Sequence, residues 1–266
     1  MKKLFFISLF FISFILKAQN SENANFDISS ETIKTKPLNI DELNKIDYSN
    51  ILMQNQDALI GYIGENYQRF YIRFISIIKD KQTTNEYYVY GKSRVKNIIC
   101  DFQGKIKITS AYEFDKTEWE MHYHEAFIDD NYLTIDNTEY VYGVVLAEYF
   151  LIEDDKQANS GIFHGFLKSY YYSENENFYF NDLNMRFDDN YCNNQFCGVW
   201  KSFSNGITKT CNWGICRIPN AKDLDIGAGE FSPSEKYYNS DWNSYYKAYF
   251  ESDSAAIKQE TTKWWE

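Results

Sequence analysis

Phe70-Tyr71-Ile72-Arg73-Phe74-Ile75-Ser76-Ile77-Ile78 is nine residues of almost unbroken aromatic and β-branched character, without Gly or Pro. Side chains of this kind fit a pleated, half-buried surface, so the stretch predicts a long β-strand. Upstream, Gly61-Tyr62-Ile63-Gly64 leads into it. Downstream, Lys79 to Asn85 is polar and reads as a turn, after which Glu86 to Val95 and Ile98 to Ile108 form two further β-rich runs. Only Lys96-Asn97 separates those two runs, which predicts an antiparallel hairpin.

The pattern repeats further along. Glu139 to Ile152, the polar loop 153–160 and Gly161 to Tyr172 form a second candidate hairpin, and Tyr88-Val89-Tyr90-Gly91 recurs as Tyr140-Val141-Tyr142-Gly143. Each return strand carries a Gly, Gly104 and Gly165, two residues before an apolar-Lys pair. Phe196-Cys197-Gly198 opens a third, more degenerate unit. Gly within strands marks bends where a sheet curls. With 23 Tyr, 21 Phe and only three Pro, the fold class expected is mainly β: an antiparallel meander sheet or barrel of hairpins, with a short N-terminal helix and an aromatic C-terminal helix.

The helices are read from caps and spacing. Between Pro37 and Asn55, Leu38, Leu43, Ile46, Ile51 and Leu52 recur at helical intervals, with Asp41 as a candidate cap. Ser232-Pro233-Ser234-Glu235 combines a Ser cap, Pro at the first helical position and Glu three residues after the cap. Tyr238, Trp242, Tyr245 and Tyr249 then share one helical face, with Asp241 able to cap a second segment. An aromatic stripe of this kind is expected to cover one face or end of the sheet.

At the N-terminus, Met1-Lys2-Lys3, the apolar run Leu4 to Leu16 and Ala18 have the layout of a secretory signal peptide. The run is too short to span a bilayer, and no later stretch approaches the roughly 20 apolar residues a membrane helix requires. The expected organisation is a signal peptide over 1–18, a flexible polar leader over 19–36 and one β-rich domain over 37–266, with the C-terminal helix from about 233. Localisation is expected to be periplasmic or secreted. The whole chain has a formal charge of −11, and removal of the expected signal peptide takes away three of its 27 basic residues. Nucleic acid is therefore excluded as a partner, because binding it depends on neutralising phosphates with Lys and Arg.

An oxidising compartment makes disulfides the first expectation for Cys192, Cys197, Cys211 and Cys216. Cys192 with Cys216, and Cys197 with Cys211, are both centred on Ser204, so a hairpin turning at Ser202 to Gly206 would set both pairs opposite each other. Two positions five apart on a regular strand point to opposite faces, which leaves local bridges Cys192–Cys197 and Cys211–Cys216 as the alternative. The spacing lacks the two-residue knuckle of most structural zinc sites. Cys100 is expected to be an unpaired, buried thiol.

Other chemistry-bearing residues are few. His122 and His124 alternate along one face of a candidate strand near Glu118, Glu120 and Glu125, which would suit two ligands of a metal ion. His164 would need the sheet to bring it close. Asp223-Leu224-Asp225-Ile226-Gly227-Ala228-Gly229-Glu230 sets three carboxylates around a Gly-rich turn, a composition that serves glycoside hydrolysis or calcium binding but equally an ordinary loop. Neither a calcium-loop, a phosphate-loop, a Gly-x-Ser-x-Gly nor a His-Glu-x-x-His pattern occurs. No cofactor is implied.

The Gly61-Tyr62-Ile63-Gly64 entry, the long strand after it and the hairpins returning through Phe-x-Gly over residues 59–110 resemble the opening of lipocalin-like meander barrels. That resemblance implies a ligand binder. The chain also resembles exported proteins of AT-rich bacteria in its Asn, Lys, Ile and Tyr usage. Without a complete catalytic constellation, the expected function is non-catalytic binding of a glycan, an apolar small ligand or a protein through an aromatic-rich sheet or barrel. A secreted hydrolase using a carboxylate pair is the alternative, and an acidic exported inhibitor or immunity protein fits the charge as well.

Overall fold

The structure is a computed structural model that describes residues 26–119, 140–175, 177–182 and 190–266. The expected signal peptide and the pair His122 and His124 lie outside these residues.

Eight antiparallel strands form a closed meander: β2 (Leu59–Ile63), β3 (Gln68–Lys79), β4 (Glu86–Val95), β5 (Ile98–Phe114), β6 (Tyr140–Glu153), β7 (Gly161–Glu174), β9 (Asn193–Ser202) and β10 (Thr208–Ile215). Each pairs with the next, and β10 pairs with β2 to close the ring. Two short strands hang outside it, β1 (Thr35–Pro37) on β5 and β8 (Asn177–Phe180) on β7. Closure satisfies every wall strand on both edges, which is how such a sheet avoids exposed hydrogen-bonding groups.

Alternation assigns the two faces. In β3, Phe70, Ile72 and Phe74 point inward; a bulge between Phe74 and Ser76 then shifts the inward set to Ile77 and leaves Ile75 and Ile78 exposed. That extra residue is why the opening stretch shows no clean period of two. Phe70, Phe74, Phe102, Phe163, Phe196 and Trp213 fill the interior with Ile106, Leu151 and Leu167. An eight-stranded barrel is just wide enough for side chains to fill it. Here aromatic rings occupy that space. Lys92, Lys105, Lys107 and Asp101 lie on the outer face of β4 and β5.

Rings of this size fit because glycines oppose them. Gly165 and Gly198 pair across β7 and β9. A Cβ on Gly198 would lie 2.3 Å from both the His164 carbonyl oxygen and the Tyr149 hydroxyl. The repeated tetrapeptide has the same use in both copies: a Cβ on Gly91 would meet the Phe102 ring at 2.5 Å, and one on Gly143 the Tyr171 ring at 2.4 Å. The return-strand glycines do not correspond, since Gly104 opposes Val89 whereas Gly165 opposes Tyr149.

Helices α1 (Ile40–Lys45) and α2 (Ser49–Met53) contribute Leu43, Ile46, Tyr48, Ile51 and Leu52 to the barrel core. Lys79 fixes them by donating from Nζ to the carbonyls of Asn44 and Ile46. The cap of α1 is Asn39, in a capping box with Glu42, rather than Asp41. The flexible leader expected over 19–36 also ends earlier. Ile33 is buried, Glu31 accepts from Lys168 and Tyr170, and Thr35 already pairs with Phe114.

The C-terminal segment lies on the outer wall. Its start lies two residues later than read from Ser232: Pro233 forms a bridge with Asp225, and Ser234 is the residue that precedes the first helical turn. A 3-10 turn over Glu235–Ser240 precedes α3 (Asn243–Phe250) and α4 (Ser254–Glu260), the latter capped by Asp253. Asp241 takes a left-handed φ of 68° and accepts from Gln68 rather than capping a helix. Trp242, fully buried, donates from its indole N–H to the Tyr67 carbonyl and packs in an outer cluster with Ile60, Tyr62, Leu224 and Phe231.

Candidate functional site

A cleft lies outside the barrel, between the outer face of β3 and the C-terminal segment, and has a volume of about 1030 Å³. Ligand sites commonly fall at about 300–1,000 Å³. Strand alternation builds one wall: since Phe70 and Ile72 turn inward, Arg69, Tyr71 and Arg73 turn outward into the cleft. The opposite side comes from Tyr245 and Tyr249 of α3, Glu260 of α4 and the tail residues Trp264 and Trp265.

Guanidinium groups and rings interleave. Arg69 is almost completely buried, 4.3 Å from the Trp242 ring centroid and 4.8 Å from those of Tyr71 and Tyr245. Its Nη2 donates to Glu260 at 3.2 Å, and Glu260 also accepts from Ser244. Arg94 lies 3.8 Å above the Tyr71 ring and 5.1 Å from that of Trp264, while Arg73 lies 4.3 Å from Trp265. Such cation–π contacts gain strength once desolvated. Burial is the largest cause pushing the Tyr245 and Tyr249 phenols up, so both stay neutral hydroxyls.

The carboxylate loop serves structure. Asp223 accepts from Lys236 and the Tyr237 hydroxyl, hydrogen bonds that pull its carboxyl below the usual range. Asp225 pairs with Arg217 at 2.6 Å and accepts from the backbone of Gly227 and Ser232. Of the three carboxylates only Glu230 lines the cleft. Glu118, expected beside the histidine pair, is held by Lys34. His164 sits on β7, half-buried, where burial and then Lys201 lower its pKa. Among the described residues no group of three His, Cys, Asp or Glu could hold a metal ion.

The structure contains no disulfide among the described cysteines. The nested pairing expected for the β9–β10 hairpin fails for its inner pair. Lys201 faces Thr208 and Phe196 faces Trp213, so the ladder is centred between Ser204 and Asn205, half a residue from the symmetry of the cysteines. This sets Cys211 opposite Gly198, pointing into the core, and Cys197 opposite Asn212, pointing out towards Asn220. A one-residue register difference reverses faces. Past the bulge between Trp213 and Ile215 the pairing returns to Ile215 with Asn193, and Cys216 and Cys192 are the next residues beyond that last pair. Burial and then the nearby Cys192 push the Cys216 thiol up to about 11. Cys100 is buried against the Ala158 carbonyl, and burial pushes it up to about 12, as suits an inert core thiol.

The sequence reading missed the cleft, although one signal was there. Arg69, Tyr71 and Arg73 alternate through the strand with which the reading began, and paired Trp264-Trp265 stands out in a polar tail.

Together, fold and site define a closed eight-stranded meander barrel with a filled core and an external cleft of arginines and aromatic rings. Compared with family models, with curated proteins and with solved structures, the chain matches none. No helix among the described residues is long and apolar enough to cross a membrane.

Proposed function

We propose that this is an exported binding protein whose external cleft, rather than its barrel interior, takes a small ring-bearing ligand, a sugar unit of a glycan. The observation that carries the reading is the lining. Tyr71, Tyr245, Tyr249, Trp264 and Trp265 line the cleft with aromatic surface, the kind that packs against sugar rings, and Arg73, Glu230 and Ser232 add polar groups around them. Binding is favoured over hydrolysis because Asp223 and Asp225 are committed to Lys236, Tyr237, Arg217 and backbone donors.

Export is part of the proposal and rests on the layout of residues 1–18. In an oxidising compartment one bridge, Cys192–Cys216, is supported by the register beyond the β10 bulge. The test of the binding reading is titration of the chain with soluble oligosaccharides, followed by tryptophan fluorescence, alongside a Trp264→Ala/Trp265→Ala double variant. Saturable quenching that the double variant loses supports it. An unchanged signal with every sugar, or equal binding by the variant, overturns it.

A further inference from the structure

The cleft concentrates a residue type that the rest of the chain nearly lacks. The sequence contains five arginines, Arg69, Arg73, Arg94, Arg186 and Arg217. Three of them, Arg69, Arg73 and Arg217, line the cleft, and Arg94 stacks on two of the rings at its wall, Tyr71 and Trp264. A protein of formal charge −11 has thus gathered four of its five guanidinium groups at one place, where Arg73 pairs with Asp57 through Nη1 and Arg217 with Asp225.

Arg69 is the sharpest case. Its side chain is 3% exposed, yet it meets one carboxylate through one nitrogen, with Glu260 itself 5% exposed. Its Nε and Nη1 have no hydrogen-bond partner within the protein, and neither does Nε of Arg94 or of Arg217. A guanidinium carries five N–H donors in a fixed fork that suits a carboxylate held by two parallel bonds. Buried donors left unpaired are costly, and they are normally satisfied by a partner.

We infer that the cleft is selective for an acidic sugar, a glycan unit bearing a uronate-type carboxylate, with Arg69 and Arg73 as the residues that recognise the carboxylate and the aromatic rings as the platform for the sugar ring. This rests on the binding reading above and specifies its ligand. Arg accounts for the charge and Tyr or Trp for the ring, so the two features act on different parts of one ligand.

The test isolates charge from ring. The full chain is titrated calorimetrically with a trimer of galacturonic acid and with the fully methyl-esterified trimer, which keeps the rings and loses the carboxylates. The acid should bind at least about tenfold more tightly, the scale of a charge-assisted hydrogen bond, and raising salt should narrow the gap. Arg73→Gln, on a partly exposed side chain, should abolish most of the preference while circular dichroism stays unchanged. Arg69→Gln is read only if it folds. Equal affinity for acid and ester overturns the inference and leaves the cleft reading standing. Binding of neither overturns both, and a preference that persists in Arg73→Gln and in a folded Arg69→Gln overturns the assignment to these arginines.

Discussion

Trp213 and Phe196 stand opposite each other across β10 and β9 with ring centroids 4.7 Å apart and planes 14° from parallel. This stack lies in the barrel core, touching Tyr149 through both rings, and it also marks the register of the hairpin. Trp213→Ala should cost about 3–5 kcal/mol, the range for emptying a large buried aromatic site. Urea unfolding checks it: a loss below about 1 kcal/mol would mean that the stack is dispensable.

A second expectation follows from the glycine window. Gly198→Ala must push a methyl group into the His164 carbonyl and the Tyr149 hydroxyl, so it should destabilise by about 1–3 kcal/mol. The Tyr149 hydroxyl has no hydrogen-bond partner within the protein. Tyr149→Phe should therefore leave stability unchanged or raise it by up to about 1 kcal/mol, and should soften the Gly198→Ala defect in the double variant.

Glu153 predicts a pH dependence. It is buried and accepts from Ser93, the Gly161 N–H and the Trp200 indole N–H. Burial outweighs these bonds and raises its pKa above the ordinary 4.5. Below that ordinary value the folded and unfolded states are both protonated and the contribution is fully present. As pH rises through the raised folded value, the buried carboxyl must ionise and stability falls. Denaturation midpoints measured from pH 4 to pH 8 should show this fall, and Glu153→Gln should flatten it. A wild-type profile that rises throughout this window would contradict the assignment.

The cysteines offer a test by connectivity. Oxidised, exported material should contain Cys192–Cys216 and leave Cys100, Cys197 and Cys211 as thiols. In the chain-entropy model a loop of this length is worth about 3–4 kcal/mol, which reduction should remove. Non-reducing peptide mapping reads the pairing directly. Recovery of Cys197–Cys211 would show that the β9–β10 register is wrong.

Export predicts a mature N-terminus at Gln19, directly after Ala18. N-terminal sequencing of secreted or periplasmic material should find it. Retention of Met1 to Leu16 would remove the argument for an oxidising compartment.

Much of this protein was legible along the chain. The long apolar-aromatic run at Phe70 to Ile78, the two-residue gap at Lys96-Asn97 and the polar loop at 153–160 predict hairpins because strand propensity and turn chemistry act over a few residues. They determine a meander, and their number is compatible with closure. What decided the rest acts between segments distant in sequence. Whether β10 meets β2 depends on twist accumulated over the whole sheet. The helix start read at Ser232 moved on to Ser234, because Pro233 is held in a bridge with Asp225. The cysteine symmetry about Ser204 was real in sequence but was overruled by half a residue, because the core selects the register in which Trp213 meets Phe196, and a bulge then restores alignment only beyond it. The alternation of Arg69, Tyr71 and Arg73 was likewise in the sequence, since a strand must turn these side chains away from Phe70 and Ile72. That they form a site was decided only by the tertiary structure, when the C-terminal segment folded back across the wall and set Trp264 and Trp265 beside them.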